Sequence, residues 1–235
     1  MPSMPSELAQ EVQKPTLVPA TRIQRSFVAV LEKNTLAYLA ARTPSWINSD
    51  HLTILGFLAP CSAGVCYGLA RSNPDALLVG IPCLALNWLG DSLDGTLARA
   101  RQQERPRYGF YVDHISDTVA ALFLMGGLAL SGYIHPGVAL GMLVAFLTLS
   151  IEAYLATYAL GSFQLSYWKF GPTEIRILLS VGNLALFYHS RIELMKKQIL
   201  LFDLGGIVAI VGMAAMLLAS TITHTVQLYR QERLR

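Results

Sequence analysis

Charge is what this sequence has least of. Only 14% of its 235 residues are Asp, Glu, Lys or Arg, against 53% hydrophobic, and its mean hydropathy is +0.45. A soluble domain carries about 25% charged residues, so the composition argues against a water-facing globule and for a bilayer. Cysteine is also scarce. Cys61, Cys66 and Cys83 are odd in number, sit in apolar stretches and show no metal-ligand spacing, so they read as small core residues. No early apolar run precedes residue 50, and a cleavable signal peptide is not expected. Strand-like alternation, internal repeats and low-complexity tracts are missing as well.

What is present is a series of apolar runs near the ~20 residues that cross a hydrocarbon core. Six are found, at roughly 50–70, 76–99, 109–133, 136–160, 173–189 and 203–226. The expected fold is an all-α, multi-pass integral membrane protein with six transmembrane helices, preceded by an interfacial amphipathic helix. Residues 1–20, rich in Pro, Ser and polar side chains, are expected to form a mobile tail. Across 21–43, Ile23, Phe27, Val30, Leu31 and Tyr38 fall mostly on one helical face, with Arg22, Arg25 and Lys33 interspersed. That pattern predicts a helix lying in the membrane interface, although a packed helix would look similar. Residues 44–235 then form the six-helix domain.

Basic residues orient the bundle. Of the eighteen Lys and Arg, fourteen fall on one side if the 99–107 loop and both termini are cytoplasmic. Only Arg71, Arg191, Lys196 and Lys197 fall on the other side. Cytoplasmic termini therefore satisfy the positive-inside rule, with 191–197 as a mild dissent.

Against this background "DSLDGTLARARQQERPRYGFYVDHISD", residues 91–117, is anomalous. A charged side chain inside a membrane helix costs several kcal/mol (about 3 on insertion scales) and normally faces a polar cavity or partner. Asp91, Asp94, Gly95 and Ala98 share one stripe of the second run, and Gly109, Asp113 and Asp117 share one stripe of the third. The basic loop 99–107 makes these helices an antiparallel pair, so the two stripes meet at one depth near the cytoplasmic boundary. A single Asp-x-x-Asp at a helix end is commonplace; two facing carboxylate stripes are not. Oxygen-only donors suit a hard ion such as Mg²⁺ or Mn²⁺, and four carboxylates can hold two ions about 4 Å apart. Gly95, Ala98 and Gly109 leave room for a phosphorylated ligand beside the backbone.

The pattern Asp-x-x-Asp-Gly-x-x-Ala-Arg, nine residues, Gly-x-x-x-Asp-x-x-x-Asp resembles the signature of the CDP-alcohol phosphotransferases, with every specified position filled by Asp91, Asp94, Gly95, Ala98, Arg99, Gly109, Asp113 and Asp117. "TPSWINSDHLTILG" loosely resembles the family's Pro-Asn-x-x-Thr stretch, with an insertion. The resemblance implies a phospholipid-synthesis transferase in the membrane. An acceptor hydroxyl attacks the phosphorus distal to cytidine in a CDP-linked alcohol, and CMP leaves. It also implies Asp91, Asp94 and Asp113 as metal ligands, and Asp117 as ligand, general base or both. Gly95, Ala98, Arg99 and Gly109 would form the nucleotide site. Mg²⁺ or Mn²⁺, two ions, would be the cofactor.

Two substrate arrangements stay open. CDP-diacylglycerol would give a phosphatidyl group to a polar alcohol such as glycerol 3-phosphate, inositol phosphate or serine. Alternatively, CDP-choline or CDP-ethanolamine would give its head group to diacylglycerol. His114, in Asp-His-x-x-Asp, looks like the variant of the aminoalcohol enzymes, where it helps deprotonate the acceptor. Gly-Pro-Thr-Glu at 171–174 resembles a stretch of the same enzymes, whereas Lys169 and Arg176 suit an anionic acceptor; Lys169, Glu174 and Arg176 are the acceptor-binding candidates. The balance leans slightly to CDP-diacylglycerol. A small ion or proton transporter using the carboxylates as a relay is the non-enzymatic rival. Partners are membrane lipids and the substrates, with no nucleic acid; a homodimer is plausible. Asn87 is a candidate second-layer or interhelical group. Glu152 is expected to pair with Arg176, approach the acceptor or sit as a buried acid. His135, His189 and His224 are expected at the interface, and Gly126-Gly127 and Gly205-Gly206 at close helix crossings.

Overall fold

Proline marks where helices begin. Pro106, Pro136 and Pro172 are the first residues of three helices, and Pro74 directly precedes a fourth. First-turn N–H groups have no intrahelical acceptor, and the proline ring already holds a helical φ. The computed structural model describes residues 29–160, 172–194 and 197–233. Within them run α1 (Ala29–Arg42), α2 (Ser49–Ala70), α3 (Asp75–Ala100), α4 (Pro106–Ser131), α5 (Pro136–Leu160), α6 (Pro172–Tyr188) and α7 (Leu201–Gln231). Residues 1–20, most of the basic and apolar pattern over 21–28, Tyr167, Trp168 and Lys169 lie outside the described residues.

Five helices, α2, α3, α4, α5 and α7, are long and apolar enough to cross a membrane, which is consistent with a membrane protein. Their bounds match the corresponding apolar runs closely. At seventeen residues, α6 falls short of the expected ~20. One expectation is corrected: the chain is not free of strands. β1 (Arg191–Leu194) and β2 (Lys197–Leu200) pair antiparallel, Arg191 opposite Leu200 and Leu194 opposite Lys197. A pairing this short leaves too brief an alternation to stand out beside long apolar runs.

α2 is the hub, packing on both α3 and α4; α6 leans on α3, and α5 joins α4 to α7. Its buried positions Leu52, Gly56, Ala59, Pro60, Ala63, Gly64, Tyr67 and Ala70 are nearly all small. Without a hydrophobic drive between helices in lipid, small residues let backbones approach and gain dispersion contact. A Cβ at Gly90 would meet Leu52 O at 2.6 Å and Gly56 Cα at 2.7 Å, and one at Gly127 would meet Gly64 Cα at 2.9 Å. The two expected glycine pairs are thus each half used. Gly127 and Gly206 pack closely, whereas a Cβ at Gly126 or Gly205 would meet nothing within 4 Å.

α1 is held to the bundle on α3. Glu32, Leu36 and Ala40, at i, i+4 and i+8, are its buried positions, and Tyr38 is exposed. Three donors converge on one oxygen of this buried acid: Glu32 Oε1 accepts from Trp88 Nε1 at 3.0 Å, Ser92 Oγ at 3.2 Å and Thr173 Oγ1 at 2.9 Å, whereas Oε2 is buried with no hydrogen-bond partner among the described residues. Arg101 fixes the α1–α2 linker through the carbonyls of Ile47 (2.6 Å), Thr43 (3.1 Å) and Pro44 (3.0 Å).

Candidate functional site

The turn after Ala100 reverses the chain, and α3 and α4 pack chiefly on α2 rather than on each other, which corrects the expected antiparallel pair. Gln102 adopts a positive φ of 55° there, and Pro106 restarts the helix. The helical period then sets the four aspartates against each other. Asp91, Asp94, Asp113 and Asp117 all line one small cavity of about 20 Å³, together with Thr53, Gly56, Phe57, Asn87, Ser116 and Ala120. Such a volume holds about one water-sized species. Asp91, Asp94 and Asp113 are half-buried and Asp117 is exposed at the edge.

The carboxylates are compensated from neighbouring helices. Arg176, on α6, donates from Nη2 to Asp91 Oδ2 at 2.7 Å and from Nε to Asn87 Oδ1 at 2.6 Å. Thr53, on α2, donates to Asp94 Oδ2 at 2.8 Å. Just before α4, Arg105 pairs with Asp50 and lies 4.2 Å from the centre of the Tyr108 ring. Among the described residues, no three Asp, Glu, His or Cys side chains are gathered as placed around a point that could hold one ion. Asp91 and Asp94 are turned instead to Arg176 and Thr53. The donor set lining the cavity is nevertheless all oxygen, as a hard divalent cation requires.

The other sequence candidates lie around this cavity rather than in its lining. Gly95 faces the Arg99 guanidinium, whose Nη1 would lie 3.5 Å from a Cβ, and Gly109 borders open space. Arg99 is exposed and donates to Thr96 Oγ1 at 3.2 Å; Ala98 is half-buried. They form a stretch of small residues and one cation between the cavity and the α3–α4 turn. His114 packs between Phe110 and Tyr154, with ring centroids 4.1 Å and 4.6 Å away. Its Nδ1 lies 2.6 Å from the Phe110 carbonyl. A carbonyl only accepts, so Nδ1 carries a proton. Glu174 is half-buried on the first turn of α6, and Lys169 is outside the described residues.

The partner of Glu152 lies on another helix than the sequence suggested. Glu152 does not pair with Arg176: its Oε1 meets His224 Nδ1 at 2.6 Å, joining α5 to α7. Both partners are largely buried, so of the three readings of Glu152 the buried acid is the one that the contacts favour. Asn87, which the sequence left between two roles, has both, since Nδ2 also donates to the Gly56 carbonyl at 2.7 Å. Sequence reasoning gave no weight to Thr53, Phe57 and Ser116. The Thr of the "TPSWINSDHLTILG" stretch was the available signal for the first; Phe57 and Ser116 carried none.

Set beside known proteins, the chain matches the model of the CDP-alcohol phosphatidyltransferase family over residues 46–219. No curated protein matches it significantly.

Proposed function

The chain belongs to the CDP-alcohol phosphatidyltransferase family, and on that premise we propose that it transfers a substituted phosphate from a CDP-alcohol to an acceptor hydroxyl with release of CMP. The favoured donor is CDP-diacylglycerol and the favoured acceptor a small polar alcohol. One observation carries the reading: carboxylates from two helices line one cavity, and a guanidinium from a third reaches Asp91. In this reading α6 is the sixth span, α1 lies along the interface, and the cavity and both termini face the cytoplasm. The basic loop 99–107 and the exposed, apolar outer faces of α5 and α7 support that orientation and placement.

Asp91, Asp94, Asp113 and Asp117 are the proposed ligands of divalent cations, Mg²⁺ or Mn²⁺. When bound, such ions supply charge neutralisation at the donor diphosphate. Gly95, Ala98, Arg99 and Gly109 receive the nucleotide, where missing side chains allow close approach and Arg99 adds a positive charge. The acceptor oxygen forms a bond to the phosphorus distal to cytidine as the bond to the CMP oxygen breaks. The acceptor proton passes to Asp117, whose exposed position at the cavity edge suits a group that must meet an incoming hydroxyl. Arg176 and Glu174, on α6, orient the acceptor together with Lys169, which precedes them in sequence; a planar cation suits an anionic one.

The second reading, CDP-choline or CDP-ethanolamine with diacylglycerol, is favoured by His114. With Nδ1 given to the Phe110 carbonyl, Nε2 is the ring nitrogen that would take the acceptor proton in this reading. The deciding experiment crosses CDP-diacylglycerol, CDP-choline and CDP-ethanolamine with glycerol 3-phosphate, inositol phosphate, serine and diacylglycerol, using purified protein with Mg²⁺ or Mn²⁺. CMP release from CDP-diacylglycerol with a polar acceptor is expected. Release only with diacylglycerol would replace the first reading by the second. Cation flux into liposomes with no CMP from any donor would overturn both in favour of a transporter.

A further inference from the structure

We infer that Asn87 is a positioning residue that holds Arg176 on Asp91 as a built-in counter-cation, so that Arg176 and a divalent ion compete for the same carboxylate oxygen. The inference rests on the metal-binding reading proposed above.

The arrangement begins on α2. Pro60 has no N–H, so the carbonyl of Gly56, four residues earlier, lacks its helical donor. In a membrane such a carbonyl must be satisfied by a neighbour, and Asn87 Nδ2 does this from α3 at 2.7 Å. With Nδ2 committed, the Asn87 acceptor Oδ1 is the atom that meets α6, where Arg176 Nε donates to it at 2.6 Å. Reversing the amide would set donor against donor and acceptor against acceptor. At 8% exposure, Asn87 has little water to relieve either conflict.

A guanidinium is rigid and planar, so fixing Nε also fixes the direction of its other donors. Asn87 and Asp91 are one helical turn apart, and Arg176 bridges them, its Nη2 reaching Asp91 Oδ2 at 2.7 Å. A positive charge at this point lowers the repulsion among the four carboxylates. It also occupies lone-pair space on Asp91 that a metal ligand would need. Pro60, remote in sequence from the acidic motif, thereby helps set the electrostatics of the cavity.

The test is Mn²⁺ binding to the purified full chain in nanodiscs without nucleotide, read by electron paramagnetic resonance of free Mn²⁺, alongside CMP release. Arg176→Gln is expected to bind Mn²⁺ on the order of tenfold more tightly, because a charge-assisted hydrogen bond no longer has to be broken. Asn87→Leu is expected to bind it about threefold more tightly, with the double variant no tighter than Arg176→Gln alone. Both single variants are expected to slow CMP release. Pro60→Ala, which returns a donor to Gly56, shifts Mn²⁺ affinity in the same direction by less and adds nothing to Asn87→Leu. A purely structural role would weaken metal binding and turnover together. That outcome in Asn87→Leu, or unchanged Mn²⁺ affinity in it, overturns the inference. If Asn87→Leu does not fold, Arg176→Gln decides alone: equal or weaker Mn²⁺ binding overturns it. Tighter Mn²⁺ binding in a protein that releases no CMP keeps the inference and removes the transferase reading. CMP release with Mn²⁺ affinity indifferent to Arg176→Gln does the reverse.

Discussion

The crossing of α2 and α4 allows a sharp test, because Gly126 and Gly127 are chain neighbours in opposite surroundings. A methyl group on Gly127 would lie 2.9 Å from Gly64 Cα and closer still to the Gly64 carbonyl. Carbon atoms pack at about 3.5 Å or more, and the Gly64 carbonyl carbon would lie 2.6 Å from that methyl, so the helices would have to part by at least about 0.9 Å. The obstacle is backbone, which no rotamer change relieves. Overpacking of this kind costs about 1–3 kcal/mol, and a backbone clash belongs at the upper end. Ala gains up to about 1 kcal/mol over Gly in helix propensity, leaving a net loss of about 2 kcal/mol for Gly127→Ala. For a domain of this size that corresponds to a melting temperature about 4–8 °C lower. A Cβ on Gly126 meets nothing within 4 Å, so Gly126→Ala keeps the propensity gain without the clash. Thermal unfolding in detergent, followed by circular dichroism, compares the two. Equal melting temperatures, or a greater loss in Gly126→Ala, would refute the close crossing.

Asp117→Asn is expected to cut CMP release by about 100-fold or more, the scale of a lost general base, while the circular dichroism spectrum is retained; unchanged release would remove Asp117 from the chemistry. Thr53→Val removes the 2.8 Å hydrogen bond to Asp94 and is expected to lower turnover about tenfold, the effect of one hydrogen bond to a charged group. Steady-state CMP assays across a Mg²⁺ series check it, and wild-type kinetics would show that Asp94 needs no support from α2. Glu32→Leu strands the donors of Trp88, Ser92 and Thr173 and is expected to cost about 1–3 kcal/mol, whereas Glu32→Gln keeps an acceptor oxygen and loses less. Equal melting temperatures for the two would show that the contacts between α1, α3 and α6 contribute nothing.

Much of the bundle was legible because its cues are local. Proline at 106, 136 and 172 marks helix starts, and the apolar runs mark most of their lengths. The carboxylate stripes were legible for the same reason, since Asp91 and Asp94, like Asp113 and Asp117, are related by helical spacing alone. The strand pair 191–194 and 197–200 was missed because its strands are too short to announce a period. The face by which α1 packs on α3, with Glu32, Leu36 and Ala40, was not legible from the apolar pattern that runs through Tyr38. A buried acid looks like a surface residue until its three donors from other helices are known.

The sequence by itself determined a lipid-facing composition, the approximate extents of the long helices, and two acidic faces whose residues share a side because 3.6 residues make a turn. Only the tertiary structure decided that Arg176 meets Asp91 rather than Glu152, that Glu152 meets His224, and that Thr53 meets Asp94. Those partners lie on different helices, and their meeting depends on how each helix is rotated and how closely it approaches. Both are set by contacts such as Gly64 with Gly127 and Gly56 with Gly90, which no spacing along one helix encodes.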